Sequence, residues 1–115
     1  MFVTKLLIVG SRSIERFDIS SYIPDSVDLI ISGGASGVDS IAEKYADDNR
    51  ISKMIIRPRY DLYGKAAPLK RNDYMVDMSD EVLVVWDGKS RGTMYTVKYA
   101  EKKNKPINII TIAQE

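Results

Sequence analysis

Five short apolar runs punctuate the chain: Leu6 to Val9, Val27 to Ile31, Lys53 to Ile56, Glu81 to Trp86 and Ile107 to Ile112. Runs of this length without polar alternation fit strands buried on both faces better than strands with one wet side. Four of them stop at a turn signal, at Gly10, Ser32-Gly33-Gly34, Pro58 and Asp87-Gly88. Helical patterns fill the intervals. From Ser36 to Arg50, residues Val38, Ile41, Ala42, Tyr45 and Ala46 fall on one stripe; Ser36 is placed to cap this helix and Asp39 to complete a variant capping box. Pro68 to Met78 starts with Pro in the first turn, where its missing N–H costs little, and turns Leu69, Met75, Val76 and Met78 inward. Thr93 to Lys103 buries Met94, Val97 and Ala100 between Tyr95 and Tyr99 and stops at Asn104-Lys105-Pro106. Asp18 to Ile23 is read as one or two turns. Strands alternating with helices predict right-handed crossovers and an α/β three-layer sandwich around a five-stranded, mainly parallel sheet.

Composition narrows what such a sheet can do. With 115 residues, 44% of them hydrophobic, residues 1–115 are expected to form a single domain. The formal net charge is +1, from 17 basic and 16 acidic side chains, so no long-range field draws the chain to nucleic acid. The sequence has neither Cys nor His. That removes disulfides, thiolate and imidazole metal sites and a Ser/His/Asp triad, and no metal is expected. The stretch Met1 to Gly10 is too short and lacks the cleavage pattern of a signal peptide, and no segment approaches the ~20 apolar residues of a membrane span. The expected location is cytoplasmic, with no membrane partner.

A parallel sheet gathers the carboxyl ends of its strands on one rim. Here that rim would hold Gly10-Ser11-Arg12, Gly33-Gly34-Ala35-Ser36-Gly37, the Arg57 to Gly64 loop and Asp87 to Thr93. An isolated glycine pair more often just turns a corner. Several such turns on one rim favour backbone amides and helix dipoles converging on an anion such as a phosphate. Arg12 and Arg71 supply candidate clamps, because guanidinium presents a planar fork of donors. Asp39 is better read as a helix cap than as a catalyst. Asp87 is read evenly as a ribose acceptor or a turn cap, and Trp86, Tyr60 and Tyr63 as packing more than base stacking. Familiar nucleotide and nucleophile motifs are not met: Leu83 stands where a P-loop needs its first glycine before Gly88-Lys89-Ser90, Gly10-Ser11-Arg12-Ser13 is not GxGxxG, and Gly34-Ala35-Ser36-Gly37-Val38 misses the nucleophile-elbow spacing.

With these residues laid out, the chain resembles the SLOG superfamily of Rossmann-like domains, in particular the small stand-alone YspA/YpsA-related proteins of bacteria and phages. The resemblance runs through Gly10-Ser11-Arg12, Ser32 to Asp39, Ala66-Ala67-Pro68-Leu69-Lys70-Arg71-Asn72 with Met75, and Arg91-Gly92-Thr93. It implies a Rossmann-like sandwich that binds or senses a nucleotide-derived small molecule and requires no cofactor. The implied contact residues are Gly10, Ser11, Arg12, Gly33, Gly34, Ala35, Ser36, Gly37, Asp39, Arg71, Asn72, Asp87, Gly92 and Thr93. Such domains commonly pair, implying a homodimer or higher homo-oligomer. The Ser32 to Asp39 element is also similar to one in DNA-processing protein A, which implies single-stranded DNA binding as a less favoured alternative, with Lys65, Lys70, Arg71, Lys89 and Arg91 as its basic rim. Arg71 to Met75 and Gly92-Thr93 look like parts of the Lonely Guy phosphoribohydrolases. Those enzymes carry a Glu where this chain has Thr96, and the Met-His pair before the matching Arg is missing. The resemblance therefore implies a binding domain more readily than a nucleotide N-glycosidase, for which Asp87 or Asp39 would have to replace the missing carboxylate.

Overall fold

The structure is a computed structural model that describes residues 4–112, leaving Met1–Val3 and Ala113–Glu115 outside. Five strands, β1 (Thr4–Gly10), β2 (Val27–Ser32), β3 (Ser52–Ile55), β4 (Glu81–Trp86) and β5 (Ile107–Thr111), form one sheet in the order β3-β2-β1-β4-β5. Every neighbouring pair is parallel, so the sheet is parallel throughout rather than mainly so. The helices are α1 (Val38–Asp48), α2 (Tyr60–Tyr63), α3 (Ala67–Met78) and α4 (Arg91–Lys102). Together they make the α/β sandwich that the alternation of patterns predicts.

Successive side chains along a strand point to opposite faces, and the core divides accordingly. Leu6, Ile8, Ile30, Leu83 and Val85 pack under Val38, Ala42 and Ala46 of α1. Leu7, Val9, Ile31, Val82 and Val84 face Met75 and Val76 of α3 and Val97 and Ala100 of α4. The chain between β1 and β2 holds only a 3-10 turn at Ser20–Tyr22. There the Asp18 carboxylate accepts hydrogen bonds from the Ser20 amide (3.0 Å) and hydroxyl (2.6 Å), which favours a turn over a helix. Ile14, Ile19 and Ile23 anchor this segment to the α1 side of the core.

Some local expectations shift. Gly37, not Ser36, holds the N-cap position of α1, and Asp39 bonds the Ala35 amide instead of closing a capping box. The edge strands β3 and β5 are largely exposed, because an edge has a neighbour on one side only and the helices centre over β1, β2 and β4. Leu69 lies at the surface, since it sits in the first turn of α3 ahead of the part that crosses the sheet. Met94 is half-buried while Thr93 and Thr96 take the inward positions. The Arg57 to Gly64 loop contains the single-turn helix α2, leading through a 3-10 turn into α3. No helix among the described residues is long and apolar enough to cross a membrane.

Candidate functional site

The strand order reverses between β1 and β4, and the turns leaving these two strands are tied to each other. Gly10 passes so close to β4 that a Cβ there would collide with the Val85 carbonyl oxygen. Ser11 is buried; its amide donates to Val85 O (3.1 Å), its hydroxyl accepts from the Asp87 amide (2.9 Å) and its carbonyl accepts from the Val38 amide (3.3 Å). Asp87 is similarly committed. Its Oδ1 accepts from the amides of Lys89 (2.8 Å) and Ser90 (2.9 Å), and its Oδ2 from the Ser13 hydroxyl (2.8 Å). These bonds, the Lys89 amide foremost, hold its carboxyl well below the usual carboxylate range. Ser90 then caps α4, its hydroxyl accepting from the Thr93 amide at 3.3 Å. Trp86 Nε1 donates to Ser90 O (3.0 Å), fixing the indole to the turn in a packing role.

The turn between β2 and α1 is held from within and from α3. Gly34 N donates to Ser32 Oγ (3.3 Å) and Ala35 N to Asp39 Oδ2 (3.1 Å). Gly37 has φ of 74°, and a Cβ there would stand 2.5 Å from the carbonyl oxygens of Ser11 and Arg12, so only glycine fits. Gly33 leaves room for a guanidinium, as a Cβ would lie 2.7 Å from Arg71 Nη1. That nitrogen donates to Gly33 O (2.6 Å) and Ile56 O (3.2 Å), stitching the ends of β2 and β3 together from α3, while Nε donates to Asn72 Oδ1 (2.8 Å). Asp39 is only 7% exposed, and burial raises its carboxyl above the ordinary value against the opposing pull of the Ala35 amide and Arg71.

Between these turns lies a cavity of about 350 Å³. Gly10, Arg12, Ala35, Asp39, Arg71, Asn72, Asp87, Gly92 and Thr93 all line it. A smaller cavity of about 240 Å³ adjoins it, sharing Arg12, Ala35 and Arg71 and adding Gly33, Gly34 and Ser36. Of the sequence-derived contact residues, Ser11 and Gly37 stand behind the walls and position them. Sequence reasoning missed Ser13, Ser90 and Thr96 as wall residues; the spacing of Ser90 three residues before Thr93 was a readable cap signal. Thr96 Oγ1 donates to Gly92 O (3.0 Å), a helical back-bond that occupies its hydroxyl hydrogen.

What the walls offer is donors. Among the described residues, the wall amides of Gly33, Ser36 and Gly92 donate to no protein acceptor. Arg12, Arg57 and Lys70 have no ion-pair partner among those residues. Strand carboxyl ends at a reversal of strand order are where open parallel sheets hold ligands.

No protein-family model matches the chain. It is 28% identical over 116 residues to the gene 61 protein of Mycobacterium phage D29, covering 90% of this chain and 93% of that protein. Among solved structures it resembles DNA processing protein A (DprA) from Streptococcus pneumoniae, with a TM-score of 0.79 at 19% sequence identity, covering 96% of this chain and 51% of the other. The chain thus spans about half the length of that structure. It is a Rossmann-like α/β fold of the DprA type, in a protein with a distant phage homologue.

Proposed function

We propose that this chain binds a nucleotide or nucleotide-derived small molecule at the β1/β4 reversal, as a ligand-sensing or sequestering domain of SLOG type. One observation carries the reading: two adjoining cavities that share Arg12 and Arg71 expose free backbone amides, Gly92 in the larger and Gly33 and Ser36 in the smaller, beside an Arg12 with no ion-pair partner among the described residues, at the place where open parallel sheets take ligands. The phosphate would rest on the free amides of Gly33 and Ser36, with Arg12 and the remaining donors of Arg71 meeting its charge, and the free Gly92 amide would face the rest of the ligand in the larger cavity.

Binding without cleavage is favoured over N-glycosidic hydrolysis. Asp87 has both oxygens engaged by protein donors, and Thr96 carries no carboxylate. Asp39 is the remaining acid on the walls, and release of free base from a nucleoside monophosphate, abolished by Asp39→Asn, would restore the enzymatic reading. Contact with single-stranded DNA draws support from the DprA likeness and is opposed by the near-neutral charge.

Native mass spectrometry of freshly purified protein, followed by melting shifts against nucleotides, cyclic nucleotides and oligodeoxynucleotides, separates these readings. A ligand at 100 times its dissociation constant adds roughly 2.7 kcal/mol to stability. Arg12→Ala is expected to abolish the shift and leave the unliganded melting point unchanged, because Arg12 is exposed and makes no ion pair. Absence of a shift with every nucleotide sinks the proposal.

A further inference from the structure

Beyond Arg71 lies a third cavity, about 400 Å³, that the phosphate reading leaves unexplained. Its walls include Ile55, Ile56, Leu62, Tyr63 and Tyr74, with Arg57, Lys70 and Arg71 at its border. Leu62, Tyr63 and Tyr74 are 62%, 49% and 58% exposed, a grouping of large apolar side chains that a surface seldom leaves open without use. The cavity is continuous in its walls with the site already described. Arg71 borders all three cavities, and Arg57 borders both this one and the small cavity over Gly33, Gly34 and Ser36.

The chemistry along this trough has an order. At one end Val9, Leu69 and Met75 give the β1/β4 cavity an apolar wall. In the middle Arg12, Arg57 and Arg71 surround the free amides of the glycine turn. At the far end two tyrosine rings and a leucine offer flat apolar surface, again with unpaired cations beside it. Arg59, which also borders this end, is neutralised by Asp61 through two bonds of 3.0 and 2.8 Å, which leaves Arg57, shared with the glycine-turn cavity, and Lys70 as the cations without an ion pair at this end among the described residues. Each outer cavity lies near the small end of the ~300–1,000 Å³ range of ligand sites, room for one base and its sugar.

We infer that the ligand is a dinucleotide: one nucleoside occupies the β1/β4 cavity, the linking phosphates cross the Arg12–Arg57 saddle, and the second base stacks in the Tyr63–Tyr74 cavity. This rests on the nucleotide reading above and names its ligand class. Aromatic stacking gives the second base affinity without demanding a particular base, and the cations on either side of the saddle match a bridge that carries charge at its centre.

Calorimetric titration with AMP, GMP, diadenosine diphosphate, diguanosine diphosphate and a short oligodeoxyadenylate tests it, on the wild type and on Tyr74→Ala and Tyr63→Ala. Both tyrosines are exposed with no side-chain hydrogen bond among the described residues, so either variant should melt like the wild type. The expected result is at least about tenfold tighter binding of one dinucleotide than of its monophosphate, lost in the tyrosine variants while monophosphate affinity stays put. Equal affinity for monophosphate and dinucleotide overturns the second site and leaves the phosphate cradle intact. Tighter binding of the oligodeoxyadenylate than of either dinucleotide overturns it in favour of a nucleic-acid track. No binding of any probe overturns the cradle as well.

Discussion

The two glycine turns on the rim are built in opposite ways. In the β2 turn the glycines are demanded by the protein itself: Gly33 clears Arg71, and Gly37 clears the carbonyls of Ser11 and Arg12. In the β4 turn the work is done by side chains. Asp87 gathers the Lys89 and Ser90 amides, Ser90 caps Thr93, and no more distant part of the protein comes within 4 Å of where a Cβ would sit at Gly88 or Gly92. Glycine in the first turn is thus explained by packing, and Gly92 in the second by nothing the protein supplies. Under the proposed reading, the open space at Gly92 beside the cavity is room left for the ligand.

Four substitutions break or sharpen this contrast. The largest effect belongs to Gly37→Ala, where positive φ and the two carbonyl oxygens at 2.5 Å combine, for an expected loss of roughly 2–5 kcal/mol in urea unfolding. An unchanged midpoint would mean that the turn is not locked. Arg71→Ala follows, at roughly 1.5–3 kcal/mol, because it removes charged hydrogen bonds to Gly33 O and Ile56 O. Arg71 is therefore expected to stabilise the unliganded protein, unlike a clamp free to serve a ligand alone.

Asp87→Asn should lower the melting temperature by less, and in a pH-dependent way. The folded carboxyl titrates below its ordinary value of 3.8, so its contribution is complete above that value and is lost as pH falls towards the folded value. The gap between variant and wild type is expected at neutral pH and should close in acid; a gap independent of pH would assign the effect to packing. The smallest change is Gly92→Ala, which should stabilise the free protein by about 0.5–1 kcal/mol through helix propensity. If the same variant keeps full affinity for the nucleotide that binds the wild type, Gly92 is not a ligand contact and the contrast between the turns loses its functional meaning.

The strands and the three longer helices were legible because unbroken apolar runs and a 3.6-residue period are local signals. So was the rim, since a parallel sheet has one carboxyl edge wherever its strands fall. What stayed hidden was long-range. Arg71 reads as a free guanidinium in sequence, and only the fold brings it to the carbonyls of Gly33 and Ile56. Asp87 could be split only evenly, because its Ser13 partner is 74 residues away. The tyrosine cavity was illegible for a similar reason: α2 is a single turn with no period to detect, and Tyr63 and Tyr74 come to one cavity from different helices, beside the end of the edge strand β3.

Gly33 and Arg71 occupy the same few cubic ångströms from opposite directions, 38 residues apart in the chain. A methyl group at 33 would push the guanidinium aside and break its bonds to Gly33 O and Ile56 O, whereas a shortened residue at 71 vacates the space that the methyl would need. In a double-mutant cycle, Gly33→Ala should be costly while Arg71 is present and much cheaper in the Arg71→Ala background, leaving a large non-additive term. Homologues that abandon one of the pair are then expected to have abandoned both, a correlated change that would mark this junction in an alignment before any ligand is known.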